Sequence, residues 1–64
     1  SYDSRIKNLP VAARAEYFIK KMETMPPEQL GQYLGLQQQR GVLTKSVVEM
    51  MQQSQAFRDK FQQR

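Results

Sequence analysis

The pattern of apolar and polar positions divides the chain into a short opening segment and three helical stretches. Val11, Ala15, Phe18, Met22 and Met25 recur at alternating intervals of four and three, with Ala12 and Ile19 widening the stripe. That periodicity predicts one buried face of a helix over 10–24. Leu9 precedes a proline and is pushed out of the helical region, so Pro10 is expected to open the helix. Arg14, Glu16, Lys20, Lys21 and Glu23 fall on the other side. Glu16 and Lys20 stand in the favourable order for an i,i+4 pair, and the whole face reads as solvated.

A firm break follows at Pro26-Pro27. Met25 and Pro26, each before a proline, are expected to be extended, and Pro27 suits the first helical position, where its missing N–H costs nothing. Leu30, Tyr33, Leu34 and Gln37 then share one side of a helix over 27–40, with Leu34 expected to face both neighbouring helices. Gly41 can take the left-handed conformation that ends such a helix, and Val42 is placed to fold back on Leu36. Within it, Gly31 and Gly35 each cost roughly 1 kcal/mol relative to Ala. A second helix of the same chain packed on their bare backbone is the expected reason, with a partner helix as the alternative.

Thr44 has the side chain of a helix N-cap, and Leu43 and Val48 flank it at the spacing of a hydrophobic staple. The third helix is expected over 45–61, with Val47, Val48, Met50, Met51, Phe57 and Phe61 apolar and Ser54 interrupting the line. The opening segment holds Tyr2, Ile6 and Leu9 among polar residues, enough for an arm or a single helical turn. The expectation is an all-α fold: a compact three-helix bundle (about 10–24, 27–40, 45–61) with an N-terminal arm or short extra turn. It forms one small domain, 1–64, either whole or cut from a longer protein.

Size changes this picture. A chain of 64 residues buries only about 60% of its unfolded surface, so an isolated copy is marginal, which leaves oligomerisation or a larger parent protein as alternatives. Without cysteine or histidine there is no disulfide, no thiolate nucleophile and no imidazole base or ligand. The six carboxylates show no spacing that converges two of them on one point, so neither an enzyme nor a cofactor or small-molecule site is expected. No apolar run approaches the roughly 18 residues of a membrane span, and no signal-peptide pattern opens the chain. A cytoplasmic location is the reading that follows.

Two binding functions remain. The first is protein–protein interaction or self-association through an apolar helical surface. Phe57 and Phe61 lie one turn apart with Arg58, Lys60 and Arg64 around them. A helix of about seventeen residues would carry both rings past the ends of shorter neighbours at 1.5 Å per residue. Phe57, Phe61, Arg58, Arg64 and Met51 are the partner-binding candidates. The second is DNA binding, consistent with a net charge of +4. Leu30-Gly31-Gln32-Tyr33-Leu34-Gly35-Leu36 resembles the front half of a helix-turn-helix, with Gly31 as the small residue of the first helix and Gly35 in the turn. The resemblance implies a recognition helix beginning at Gln37, Gln38, Gln39 and Arg40. Gln37, Gln38, Arg40 and Lys45 would then contact nucleic acid, since Gln and Arg pair with adenine and guanine edges. Gly41 departs from that pattern, standing where the recognition helix has a buried aliphatic residue.

Overall fold

A computed structural model describes residues 4–61, with the backbone alone for Lys60 and Phe61. These residues form five helices and no strand: α1 (Ser4–Lys7), α2 (Val11–Thr24), α3 (Pro27–Gln39), α4 (Lys45–Met51) and α5 (Gln55–Phe61). The fold is a small all-α bundle with one extra N-terminal turn. Tyr2 lies outside the described residues.

The breaks fall where local chemistry demands them. Met25 is extended at φ −92°, ψ 138°, as is Pro26 at φ −58°, ψ 140°, and α3 begins on Pro27. At the other end of α3, Gly41 adopts φ 75°. Gly41 N–H donates to the Gln38 carbonyl at 3.1 Å and Val42 N–H to the Gln37 carbonyl at 3.0 Å. These are the two bonds of a Schellman cap, which satisfy carbonyls that the helix leaves unpaired. Val42 then turns into the core instead of covering Leu36, which remains 41% exposed. Thr44 caps α4 as its sequence suggests, its hydroxyl accepting from Val47 N–H at 3.4 Å.

The expected third helix over 45–61 is two helices. Gln53 and Ser54 N–H groups bond three residues back, to Met50 and Met51, tightening the end of α4. Ser54 Oγ then accepts from Ala56 N–H at 3.2 Å, the geometry of a new N-cap. Arg58 Nε reaches back to the Gln52 carbonyl at 3.3 Å, a partner for the end of α4. The serine that interrupted the apolar line therefore starts another helix, and α5 returns against α2.

The core collects Ala15, Phe18 and Met22 from α2, Leu30 from α3, Val42 and Leu43 from the α3–α4 loop, and Val47 and Met51 from α4. Burying each large side chain contributes about 1.5–3 kcal/mol before the entropy of ordering is counted. Ile6, Tyr17, Tyr33, Leu34, Val48 and Phe57 close its edges half-buried. Leu30, rather than Leu34, is thus the central leucine of α3. Arg14, assigned to the solvated face by pattern, does structural work. Its Nε and Nη2 donate to the Leu9 carbonyl at 3.2 and 2.9 Å, and its Nη1 donates to the Val42 carbonyl at 3.1 Å. One guanidinium ties the entry to α2 to the loop that leaves α3.

Candidate protein-docking face

α3 has an inner and an outer side, and its outer side is the most distinctive surface of the molecule. Leu30 and Gln37 are buried, with Tyr33 and Leu34 half-buried beside them. At 100° per residue these positions define one flank of the helix, which places Glu28, Gln32, Gly35, Leu36 and Gln39 on the opposite flank. All five of those residues are exposed. From Gln29 to Gln39 eleven residues pass without a charge, in a chain with ten basic and six acidic residues. Solvent therefore meets glutamine amides, two glycines and the side chain of Leu36.

Neither glycine is covered by the described residues. A Cβ built on Gly31 or Gly35 meets nothing within 4 Å. Among the described residues no helix lies against their backbone, and α3 instead turns Leu30 and Tyr33, on its other flank, towards the core that holds Phe18. Along Gly35 and Leu36 runs a shallow open groove, walled by Tyr33 and Met25 and edged by Gln29, Gln32 and Gln39. Such a surface can accept a helix at close range, since bare backbone allows approach and glutamine both donates and accepts hydrogen bonds.

An aromatic cluster fixes the inner wall of this groove. Phe18 meets Tyr17 edge-on at 5.6 Å between ring centroids and Tyr33 at 6.2 Å. Lys21 Nζ lies 5.6 Å from the Tyr17 ring centroid and 6.0 Å from that of Tyr33, within reach of a cation–π attraction. The Tyr33 phenol is pushed up to about 12, first by burial and then by the neighbouring Tyr17 hydroxyl. Tyr33 is thus a neutral, held side chain standing between the core and the groove.

Among the described residues the predicted partner-binding residues do not converge. Met51 is only 1% exposed and belongs to the core. Phe57 packs half-buried against that core because α5 folds back instead of extending α4, which removes the overhang expected to expose it. Arg58 is exposed but occupied with the Gln52 carbonyl. Arg64 and the Phe61 side chain lie outside the described residues. For nucleic acid, Gln38, Arg40 and Lys45 are exposed, whereas Gln37 is buried at 9% and cannot reach a base edge. The helix-turn-helix is also overturned. α3 runs unbroken from Pro27 to Gln39, through Gly35, because Tyr33, Leu34 and Gln37 all belong to the flank that packs inward. The outer face of α3 was missed as a unit, although the uncharged run that marks it is visible in the sequence.

Searches against protein-family models, curated proteins and solved structures return no match for this chain. Among the described residues no three acidic, histidine or cysteine side chains group as metal ligands, and no helix is long and apolar enough to cross a membrane.

Proposed function

We propose that this chain is a non-enzymatic protein-interaction module that docks through the outer face of α3. The observation that carries the reading is the eleven-residue uncharged run, whose exposed half no other part of the described chain covers. Two exposed helical glycines cost roughly 1 kcal/mol each relative to Ala. Nothing among the described residues crowds either position, and Gly35 lines the groove, where a docked helix could approach its backbone closely. Removing water from amides and Leu36 is also far less costly than dehydrating charges. A photo-crosslinking amino acid at position 32, compared with one at the exposed position 20 of α2, tests this in cells that express the chain. Protein adducts are expected from position 32 and not from position 20. Equal yields at the two positions, or none at either, would overturn the assignment.

A second reading, contact with a polyanion, has one observation in its favour. Lys7 Nζ comes within 3.8 Å of where a Cβ on Gly41 would stand, which brings it beside the loop that carries Arg40 and precedes Lys45. Duplex binding at this end would weaken steeply with salt, since phosphate contacts release counterions. Fluorescence titration of duplex DNA at low and moderate salt measures it, and salt-independent or absent binding removes this reading.

A further inference from the structure

We propose that α5 is an exchangeable arm and that a second copy of this chain is its partner. With α4 and α5 joined into one straight helix, each α5 takes the place of its counterpart against the α2 of the other copy. The observations lie at the junction. Positions 47, 50, 54, 57 and 61 recur at intervals of three and four, the spacing of a helix that packs on another along its whole length. The fold breaks that line between Met51 and Gln55, where nothing forbids a helix. Gln52, Gln53 and Ser54 include neither glycine nor proline. No described residue other than glycine has a positive φ, and Gln52 is already helical at φ −64°, ψ −16°. Straightening exchanges the bonds of Gln53 and Ser54 to carbonyls three residues back, and the Ser54 cap on Ala56, for the regular series four residues back. The two forms differ by a few backbone bonds.

What the bent form gains is the seat of α5. Phe57 packs against the core, and α5 lies on α2. A straight helix carries α5 away from that seat by about 1.5 Å per residue, so its own α2 is out of reach. The α2 of a second copy offers the same contacts, which makes exchange a low-cost route to a dimer. Short connections between packed elements invite it. Met50 gives the second copy something further to cover. Among the described residues it is, with Leu36, an exposed large hydrophobic side chain, 40% exposed just before the junction. In the straight helix Met50 joins Val47 and Phe57 on one line, which the two long helices bury where they cross.

Sedimentation equilibrium of the full chain up to millimolar concentration tests the proposal. The parent should dimerise at the upper end of that range. Ser54→Ala removes the cap that starts α5 and favours continuity, so it should strengthen dimerisation by about tenfold. Gln55→Pro suits the first position of α5 but loses a bond and clashes in a continuous helix, so it should leave a folded monomer. Circular dichroism melts check that each variant folds. The form of the helix is read separately. The chain has no cysteine, so cysteines placed at the exposed positions 46 and 59 carry spin labels, with labelled chains diluted into unlabelled ones. Along a straight helix the two backbones stand about 20 Å apart, and the folded-back form holds them closer. Pulsed electron resonance should show the long distance in the dimer and the short one in the dilute monomer. A parent that stays monomeric at millimolar concentration overturns the proposal, as does a dimer that keeps the short distance or forms equally well with Gln55→Pro. Leu36→Glu, on the open side of α3, should associate like the parent. Loss of the dimer in that variant would assign the contact to α3 and reject the exchange.

Discussion

The outward faces of α2 and α3 are both water-facing and are built from different chemistry. α2 presents Glu16, Lys20 and Glu23, charges of alternating sign at helical spacing. Such a face is strongly hydrated, and removing its water would cost more than a neighbouring surface returns. α3 presents glutamine, glycine and one leucine over a comparable length. Its water is easily displaced, and its backbone can be approached closely. Exposure alone therefore does not distinguish a solvated face from a docking face. The distinction lies in what dehydration costs, and that can be tested by exchanging chemistry between the two flanks of α3 and between the two helices.

The largest effect should come from placing one carboxylate on either flank of α3. Leu30 is 2% exposed in the middle of the core, so Leu30→Asp buries an unpaired charge at a cost of several kcal/mol, comparable with the total stability of so small a domain. That variant should be unfolded by circular dichroism. Leu36→Asp, six residues later on the open flank, should melt close to the parent. Unfolding of the Leu36 variant, or a cooperative melt near the parent's for Leu30→Asp, would show that the two flanks are not distinct.

Next in size is Arg14. Its guanidinium serves two carbonyls from separate loops, and hydrogen bonds from charged groups contribute about 1.5–3 kcal/mol. Arg14→Ala should lower stability in urea denaturation by about 2–3 kcal/mol, and Arg14→Lys should recover only part, since an ammonium cannot reproduce the fork. Lys20→Ala on the same helix should change stability by less than about 0.5 kcal/mol. Equal effects at positions 14 and 20 would place both on one solvated face.

The unequal legibility of these features has physical causes. The starts of α2, α3 and α4 depend on Pro10, Pro27 and Thr44, whose preferences are local, so they were readable from sequence within a residue. The Schellman cap at Gly41 is of the same kind. The break at Ser54 was also locally encoded, as an N-cap serine after two glutamines, but the apolar line on both sides of it favoured a single helix. Arg14 could not be found this way, because its acceptors are five and twenty-eight residues away and exist only once the bundle has closed. The docking face depends on which flank of α3 turns inward. Periodicity gave the correct flank but not that the described residues leave the opposite one uncovered, and that opening is what gives Gly31 and Gly35 their meaning.

Those glycines make the comparison quantitative. With open space around both positions and ordinary helical backbone, Gly31→Ala and Gly35→Ala should each stabilise the isolated chain by about 0.5–1 kcal/mol. If the face docks a helix closely, the same methyl groups should weaken that association. Opposite signs in a urea titration and in the yield of crosslinks from position 32 are the expected signature. A double variant that gains stability and associates as well as the parent would show that close backbone approach plays no part.

The smallest effect concerns Tyr33, at the boundary between the two flanks. Its phenol ionises at about 12 in the folded chain against 10.0 for the free group, with burial the larger cause and Tyr17 the second. Between those values the folded state holds a proton that the unfolded state has lost. The stabilisation is therefore complete below pH 10 and falls away as pH rises through the folded value. Urea midpoints of the parent should decline faster over this range than those of Tyr33→Phe, which keeps the ring and removes the ionisable group. Tyrosinate absorbance should show one of the described tyrosines titrating late in the parent and absent from the variant. Parallel declines of parent and variant would mean that the Tyr33 hydroxyl is open to water, and the groove wall would then belong to the outer face rather than to the core.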